Sequence, residues 1–154
     1  MSPQTPEPPL RILFVCLANL CRSPLAKVIA ETDKCAGVEA ESAGIAPSPG
    51  RMPAEGVEMI RRLSGRDASG HRPRFVLDFP LGGFDYIIGL DSSVFMALSE
   101  MPAVPKDKLY GWEVSDPCGQ GLSAYMETAR QIETYLGQFL LNREMEKQAA
   151  RRKI

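Results

Sequence analysis

Along this chain, unbroken apolar runs alternate with segments whose apolar residues recur every three or four positions. Ile12 to Val15, bounded by Leu10 and Cys16, is a run of the kind that forms a strand buried on both faces. Leu25, Ala26, Val28, Ile29 and Ala30 follow at helical spacing, with Ser23 predicted as the cap and Pro24 at the first helical position. Val38 to Ser42 is a second, weaker strand that runs into Ser42-Ala43-Gly44, and the Pro- and Gly-rich stretch Ile45 to Pro53 is a loop. Pro53 to Leu63 returns to helical spacing through Val57, Ile60 and Leu63, and Gly65 ends it. Asp67 to Pro80 is irregular, with a short helix expected only over Phe75 to Phe79.

Phe84 to Leu90 is the clearest strand after the first, and a helix follows from Ser92 through Val94, Phe95 and Leu98. Lys108 to Trp112 is the last strand, and Glu113 to Gly121 is a loop containing Asp116-Pro117. From Leu122 to about Arg151, Tyr125, Met126, Ala129, Ile132, Tyr135, Leu136, Phe139 and Leu140 mark one long amphipathic helix, whose charged last turns are expected to be solvated and frayed. Strand and helix alternate four times. This order predicts an α/β fold, a three-layer sandwich in which helices cover both faces of a four-stranded parallel sheet. Ligands of such sheets sit at the carboxyl ends of the strands, where Cys16, Ser42, Asp91 and Asp116 all fall.

Composition changes this picture little. With 154 residues, 44% of them hydrophobic, the chain can bury one good core, and a formal net charge of −1 gives no general basis for binding nucleic acid or a membrane surface. Residues 1–9 hold four prolines and read as a disordered leader without the apolar core of a signal peptide. No apolar run approaches a membrane span, so the expected location is cytoplasmic. The four cysteines, Cys16, Cys21, Cys35 and Cys118, could form two disulfides, but in that compartment they are expected to be reduced. They lack paired zinc-ligand spacing, and one histidine is too few for a usual mixed site, so no structural metal is expected.

The chemistry gathers at the end of the first strand. A strand, a tight loop and a helix start make an anion cradle, because loop amides and the helix N-terminus turn partial positive charge toward one centre. Cys16 stands at its entrance, where such donors favour the thiolate. Arg22 stands at its exit, with a planar fork suited to two phosphoryl oxygens.

Val15-Cys16-Leu17-Ala18-Asn19-Leu20-Cys21-Arg22-Ser23-Pro24 resembles the phosphate-binding loop of the low-molecular-weight protein tyrosine phosphatases, close to V-C-x-G-N-x-C-R-S-P. Further marks keep the family's order over roughly Leu10 to Leu141. They are Ser42-Ala43-Gly44, Gly70-His71-Arg72 with Arg74, Leu90-Asp91-Ser92-Ser93, and Asp116-Pro117.

The resemblance implies a single phosphatase domain over residues 10–154, acting on a phosphorylated protein as a monomer or weak dimer and needing no cofactor or metal. It implies that Cys16 attacks phosphorus and forms a phosphocysteine, and that the amides of Leu17, Ala18, Asn19, Leu20, Cys21 and Arg22, with the Arg22 side chain, hold the phosphoryl oxygens. Asp116 would be the general acid and then the general base. Ser23 would assist the leaving thiolate, with Asn19, Ser42 and His71 as supports, and Cys21 would either pack or trap oxidised Cys16. Asp91 reads as a structural residue and a helix cap.

The chain also departs from the pattern. Ala18 replaces the family's glycine, which would strain the loop if that position required a positive φ. Ser48 and Cys118 stand where members that act on phosphotyrosine carry aromatic pocket walls. Leu20 is bulky and aliphatic, as in the tyrosine type, where the related protein arginine phosphatases carry threonine. Arsenate reductases of the same fold use two further cysteines after the third strand, and residues 80–110 contain none. A weakly active phosphoprotein-binding protein is the alternative from another class.

Overall fold

The structure, a computed structural model, describes residues 7–33 and 37–152. Most of the proposed leader and Cys35 lie outside these residues.

The first strand, β1 (Leu10–Cys16), is the axis of the fold. It pairs in parallel with β2 (Val38–Gly44) on one side and with β3 (Tyr86–Gly89) on the other, and β3 pairs in parallel with β4 (Leu109–Gly111). The sheet order is therefore β2-β1-β3-β4, four parallel strands as expected. Successive β1 side chains alternate between the faces. Ile12, Phe14 and Cys16 pack with α1 (Arg22–Thr32), α2 (Ala54–Ser64) and α4 (Leu122–Arg152), whereas Leu13 and Val15 pack with α3 (Ser92–Ser99) and with residues 76–84. Ile12, Leu13, Phe14 and Val15 are fully buried, and each contributes about 1.5–3 kcal/mol of apolar transfer.

Several boundaries differ from those the sequence predicts. Ser23 does not cap α1, because the helix begins at Arg22 with Cys21 as its cap residue and no capping side-chain bond. Ser23 is inside the first turn and fully buried, and Pro24 falls at the third helical position instead of the first. The short helix expected over Phe75 to Phe79 is one 3₁₀ turn, Val76–Asp78. β3 is shorter than the apolar run because Phe84 closes the 3₁₀ turn Leu81–Gly83, its N–H donating to Leu81 O at 3.3 Å, and Asp85 N–H joins the edge of β1 through Arg11 O at 2.8 Å just before the strand begins. Lys108 ends a 3₁₀ turn and is not part of β4. The last helix does not fray within the described residues. It stays regular to Arg152, and Lys147 Nζ lies 3.5 Å from Glu7 Oε2.

The chain leaves β1 for β2 on one side and later returns to β3 on the other, so the strand order reverses at β1. The loops after β1 and β3 diverge there, which is where open α/β sheets bind ligands.

Candidate active site

The loop from Cys16 to Arg22 owes its shape to where its carbonyls go. Ile45 N–H donates to Cys16 O at 3.1 Å, Ala46 N–H to Leu17 O at 2.8 Å and Ser48 N–H to Ala18 O at 3.1 Å. His71 Nε2 is 2.7 Å from Asn19 O. Four consecutive carbonyls are thus held from outside by the segment after β2 and by His71. The amides of residues 17–21 donate to no protein acceptor among the described residues, which makes them the loop's free donors for an anion.

Ser42-Ala43-Gly44 has a steric reason. A Cβ on Gly44 would stand 2.8 Å from Leu17 O, 3.0 Å from Asn19 N and 3.1 Å from Ala18 C, all of them backbone atoms. Only glycine lets the end of β2 touch the loop.

Asn19 takes the loop's left-handed backbone position, with φ 57°, and it is the only non-glycine residue with positive φ among the described residues. Ala18 therefore carries no such strain, and its substitution for glycine costs the loop nothing in backbone conformation. Asn19 also tolerates φ > 0 better than most side chains do. Its side chain is fully buried and fully used. Nδ2 donates to Ser23 Oγ at 2.8 Å and to Ser42 Oγ at 3.0 Å, and Oδ1 accepts from Arg74 N–H at 2.9 Å. Asn19, Ser23, Ser42 and His71 are thereby brought together around the loop.

The same network reaches Cys16. The alternation of β1 points its side chain toward α1, where Ser23 Oγ lies 3.0 Å from Cys16 Sγ. Because Ser23 accepts from Asn19, its own proton is available to the sulfur or to Ala43 O at 3.3 Å. Cys16 is buried and is a free thiol.

Arg22 is also buried, and it is paired. Nη1 lies 2.7 Å from Asp91 Oδ2 and donates to Val114 O at 3.3 Å. Asp91 caps α3 as expected, its Oδ1 accepting from Val94 N–H at 2.7 Å. Its pairing with Arg22 was not expected, although a buried arginine requires a carboxylate and Asp91 was the acid at the end of the neighbouring strand. Burial pushes the Asp91 carboxyl up, but the Val94 amide, the Ser93 hydroxyl and the Arg22 guanidinium outweigh it and hold the group below the usual carboxylate range.

Asp116 is exposed, and its Oδ1 accepts from Cys118 N–H at 3.1 Å. The expectation that the cysteines are reduced is corrected here for two of them. Cys21 of the phosphate loop and Cys118 form a disulfide with Cα atoms 6.3 Å apart, because the Asp116 loop folds back over the loop after β1. Tyr125, read from sequence only as a core residue of α4, donates its hydroxyl to Cys21 Sγ at 3.2 Å. Burial, with Glu55 and Asp116, pushes the Tyr125 phenol up to about 12, so it remains a donor. Ligand atoms of Cys21, Asp116 and Cys118 lie within 4.8 Å of one another, but a soft metal could use the sulfurs only after reduction.

Comparison with known proteins agrees with this geometry. The model of the family described as low molecular weight phosphotyrosine protein phosphatase matches residues 11–151. A low molecular weight protein-tyrosine-phosphatase of Bacillus subtilis is 38% identical over 98 residues, 60% of this chain and 63% of that protein. A protein-arginine-phosphatase of Geobacillus stearothermophilus is 28% identical over 137 residues, 83% of this chain and 92% of that protein. The crystal structure of a low molecular weight protein tyrosine phosphatase from T. tengcongensis superposes with a TM-score of 0.72 at 30% identity, covering 90% of this chain and 99% of the other.

Proposed function

The chain belongs to the low molecular weight phosphotyrosine protein phosphatase family, and on that premise we propose that it hydrolyses phosphotyrosine and related aryl phosphate monoesters through a phosphocysteine at Cys16. The observation that carries this reading is the loop whose four carbonyls are all held from outside, with Cys16 at one end and the buried Arg22 at the other. In the first step Cys16 Sγ attacks phosphorus, the bond to the aryl oxygen breaks, and Asp116 gives that oxygen its proton. The loop amides and the free nitrogens of Arg22 hold the three equatorial oxygens. In the second step water attacks phosphorus and loses its proton to Asp116. The Cys16 thiolate departs, stabilised by the Ser23 hydroxyl.

Aryl preference is supported by the rim. Leu17, 51% exposed beside the nucleophile, is the apolar side chain there, whereas the aliphatic Leu20 is packed against the core. Ser48 adds no wall, because its hydroxyl is turned onto Gly50 N–H at 2.9 Å. A second reading, phosphoarginine hydrolysis, is favoured by the Geobacillus relative, which matches this chain over most of both lengths.

One panel separates the two. Phosphotyrosine and phosphoarginine versions of the same peptide are compared in metal-free buffer. The reading expects kcat/KM for phosphotyrosine to exceed that for phosphoarginine by at least about tenfold, and the reverse order would assign the arginine chemistry.

A further inference from the structure

We propose that Cys21 and Cys118 are a thiol–disulfide exchange site, whose co-reactant is a low-molecular-weight thiol and its disulfide, and that the bond pins the Asp116 loop to the phosphate loop. The effect on turnover rests on the reading of Asp116 as the general acid; the exchange site itself does not.

The hydrogen bonds of residues 113–121 carry the proposal. Up to Ser115 the loop is tied to the body of the protein. Val114 N–H donates to Leu90 O, Ser115 N–H donates to Gln131 Oε1 at 2.8 Å, and Thr128 Oγ1 donates to Ser115 O at 3.1 Å. From Asp116 to Gln120 the hydrogen bonds among the described residues are internal: Cys118 N–H to Asp116 Oδ1, Gln120 N–H to Pro117 O and Gln120 Nε2 to Asp116 O. Gly119 and Gly121 then take φ of 75° and 88°. Among the described residues, apart from the packing of buried Pro117, the disulfide is the cross-link that joins this segment to the phosphate loop. It also reaches across 97 residues to the very loop Asp116 must face.

The two sulfurs are unequal, which sets the direction of exchange. Cys21 is buried and its sulfur accepts the Tyr125 hydroxyl, whereas Cys118 reaches solvent. An external thiolate attacks Cys118 Sγ, the Cys21–Cys118 bond breaks, and Cys21 leaves as a thiolate on which Tyr125 already donates. A second external thiolate attacks the external sulfur of the mixed disulfide, releasing the small disulfide and the Cys118 thiolate. Two thiols are oxidised and one protein disulfide is reduced, and the small disulfide drives the reverse. Oxidised, the loop holds Asp116 in place; reduced, it is released.

The test uses the full chain in glutathione buffers of graded thiol-to-disulfide ratio. Free thiols are alkylated and the cross-link is mapped by mass spectrometry. In parallel, kcat/KM, which reports the cleavage step and not the later hydrolysis of the phosphocysteine, is measured with phenyl phosphate, whose leaving group needs a proton, and with 2,4-dinitrophenyl phosphate, whose leaving group does not. The proposal expects a reversible Cys21–Cys118 cross-link and a fall in kcat/KM of about tenfold or more on reduction for phenyl phosphate, with kcat/KM for the dinitrophenyl ester nearly unchanged. Cys118→Ser should behave like the reduced protein in every buffer of thiol excess. A cross-link that joins Cys16 to Cys21 instead, or equal kcat/KM for phenyl phosphate in the two states, would overturn it. Failure of both esters in both states would overturn the phosphatase reading and the coupling to it, and the mapped cross-link would still decide the exchange site.

Discussion

Arg22 Nη1 lies 2.7 Å from Asp91 Oδ2, so the guanidinium of the phosphate loop is anchored from the end of the neighbouring strand. One edge of the fork is fixed and the remaining donors are left to face the loop. Guanidinium cannot shed its charge, so an arginine this buried needs the carboxylate. Asparagine at 91 would keep the cap on Val94 and remove the charge, which separates the two duties. Asp91→Asn is expected to cost about 3 kcal/mol in urea unfolding. It should also lower kcat/KM, because Arg22 loses its fixed orientation.

The same pair gives a pH dependence with a definite sign. The Asp91 carboxyl is held below its ordinary value in the folded protein, so its stabilising contribution is complete above about pH 4 and is lost as pH falls through the depressed value. The stability gap between the parent and Asp91→Asn should therefore stay level from pH 7 down to about pH 5 and narrow below about pH 4. Urea midpoints across that range measure it, and a gap that widened with acid would contradict the assignment.

Gly44→Ala tests the contact between β2 and the loop. Its Cβ would meet Leu17 O at 2.8 Å, and backbone on both sides leaves little room to yield. Overpacking of this kind costs about 1–3 kcal/mol, here taken from the loop's shape. Inorganic phosphate inhibition should weaken by about tenfold while the far-ultraviolet circular dichroism stays that of the parent.

Ser23→Ala removes the hydroxyl 3.0 Å from Cys16 Sγ. If that hydroxyl helps the thiolate leave, hydrolysis of the phosphocysteine becomes the slow step and kcat falls by about tenfold or more. Stopped-flow assays with p-nitrophenyl phosphate should then show a burst of one p-nitrophenol per enzyme. An unchanged kcat without a burst would remove Ser23 from that role.

Much of this was legible in the chain. The four-residue run Ile12 to Val15 read as a strand buried on both faces, and a cysteine at its end with an arginine before the next helix read as an anion loop. Ser42-Ala43-Gly44 was readable as a mark, but its reason, contact with the backbone of Leu17 to Asn19, exists only across two strands. Ser23 read as a cap because serine before an apolar helix so often is one; the helix in fact starts two residues earlier than that cap implies and turns the hydroxyl onto Cys16. Asp91 and Cys118 were visible residues with invisible partners. Local pattern says what a side chain can do, and pairings 69 and 97 residues apart come from topology alone.

The central claim is that Cys16 is the nucleophile of a phosphate-binding loop, and Cys16→Ser tests it most directly. The variant keeps the loop, Arg22 and Asp116 while replacing the thiol with a much weaker nucleophile. Turnover of p-nitrophenyl phosphate should become undetectable, while tungstate still raises the melting temperature as it does for the parent. Retained turnover in Cys16→Ser would contradict the account.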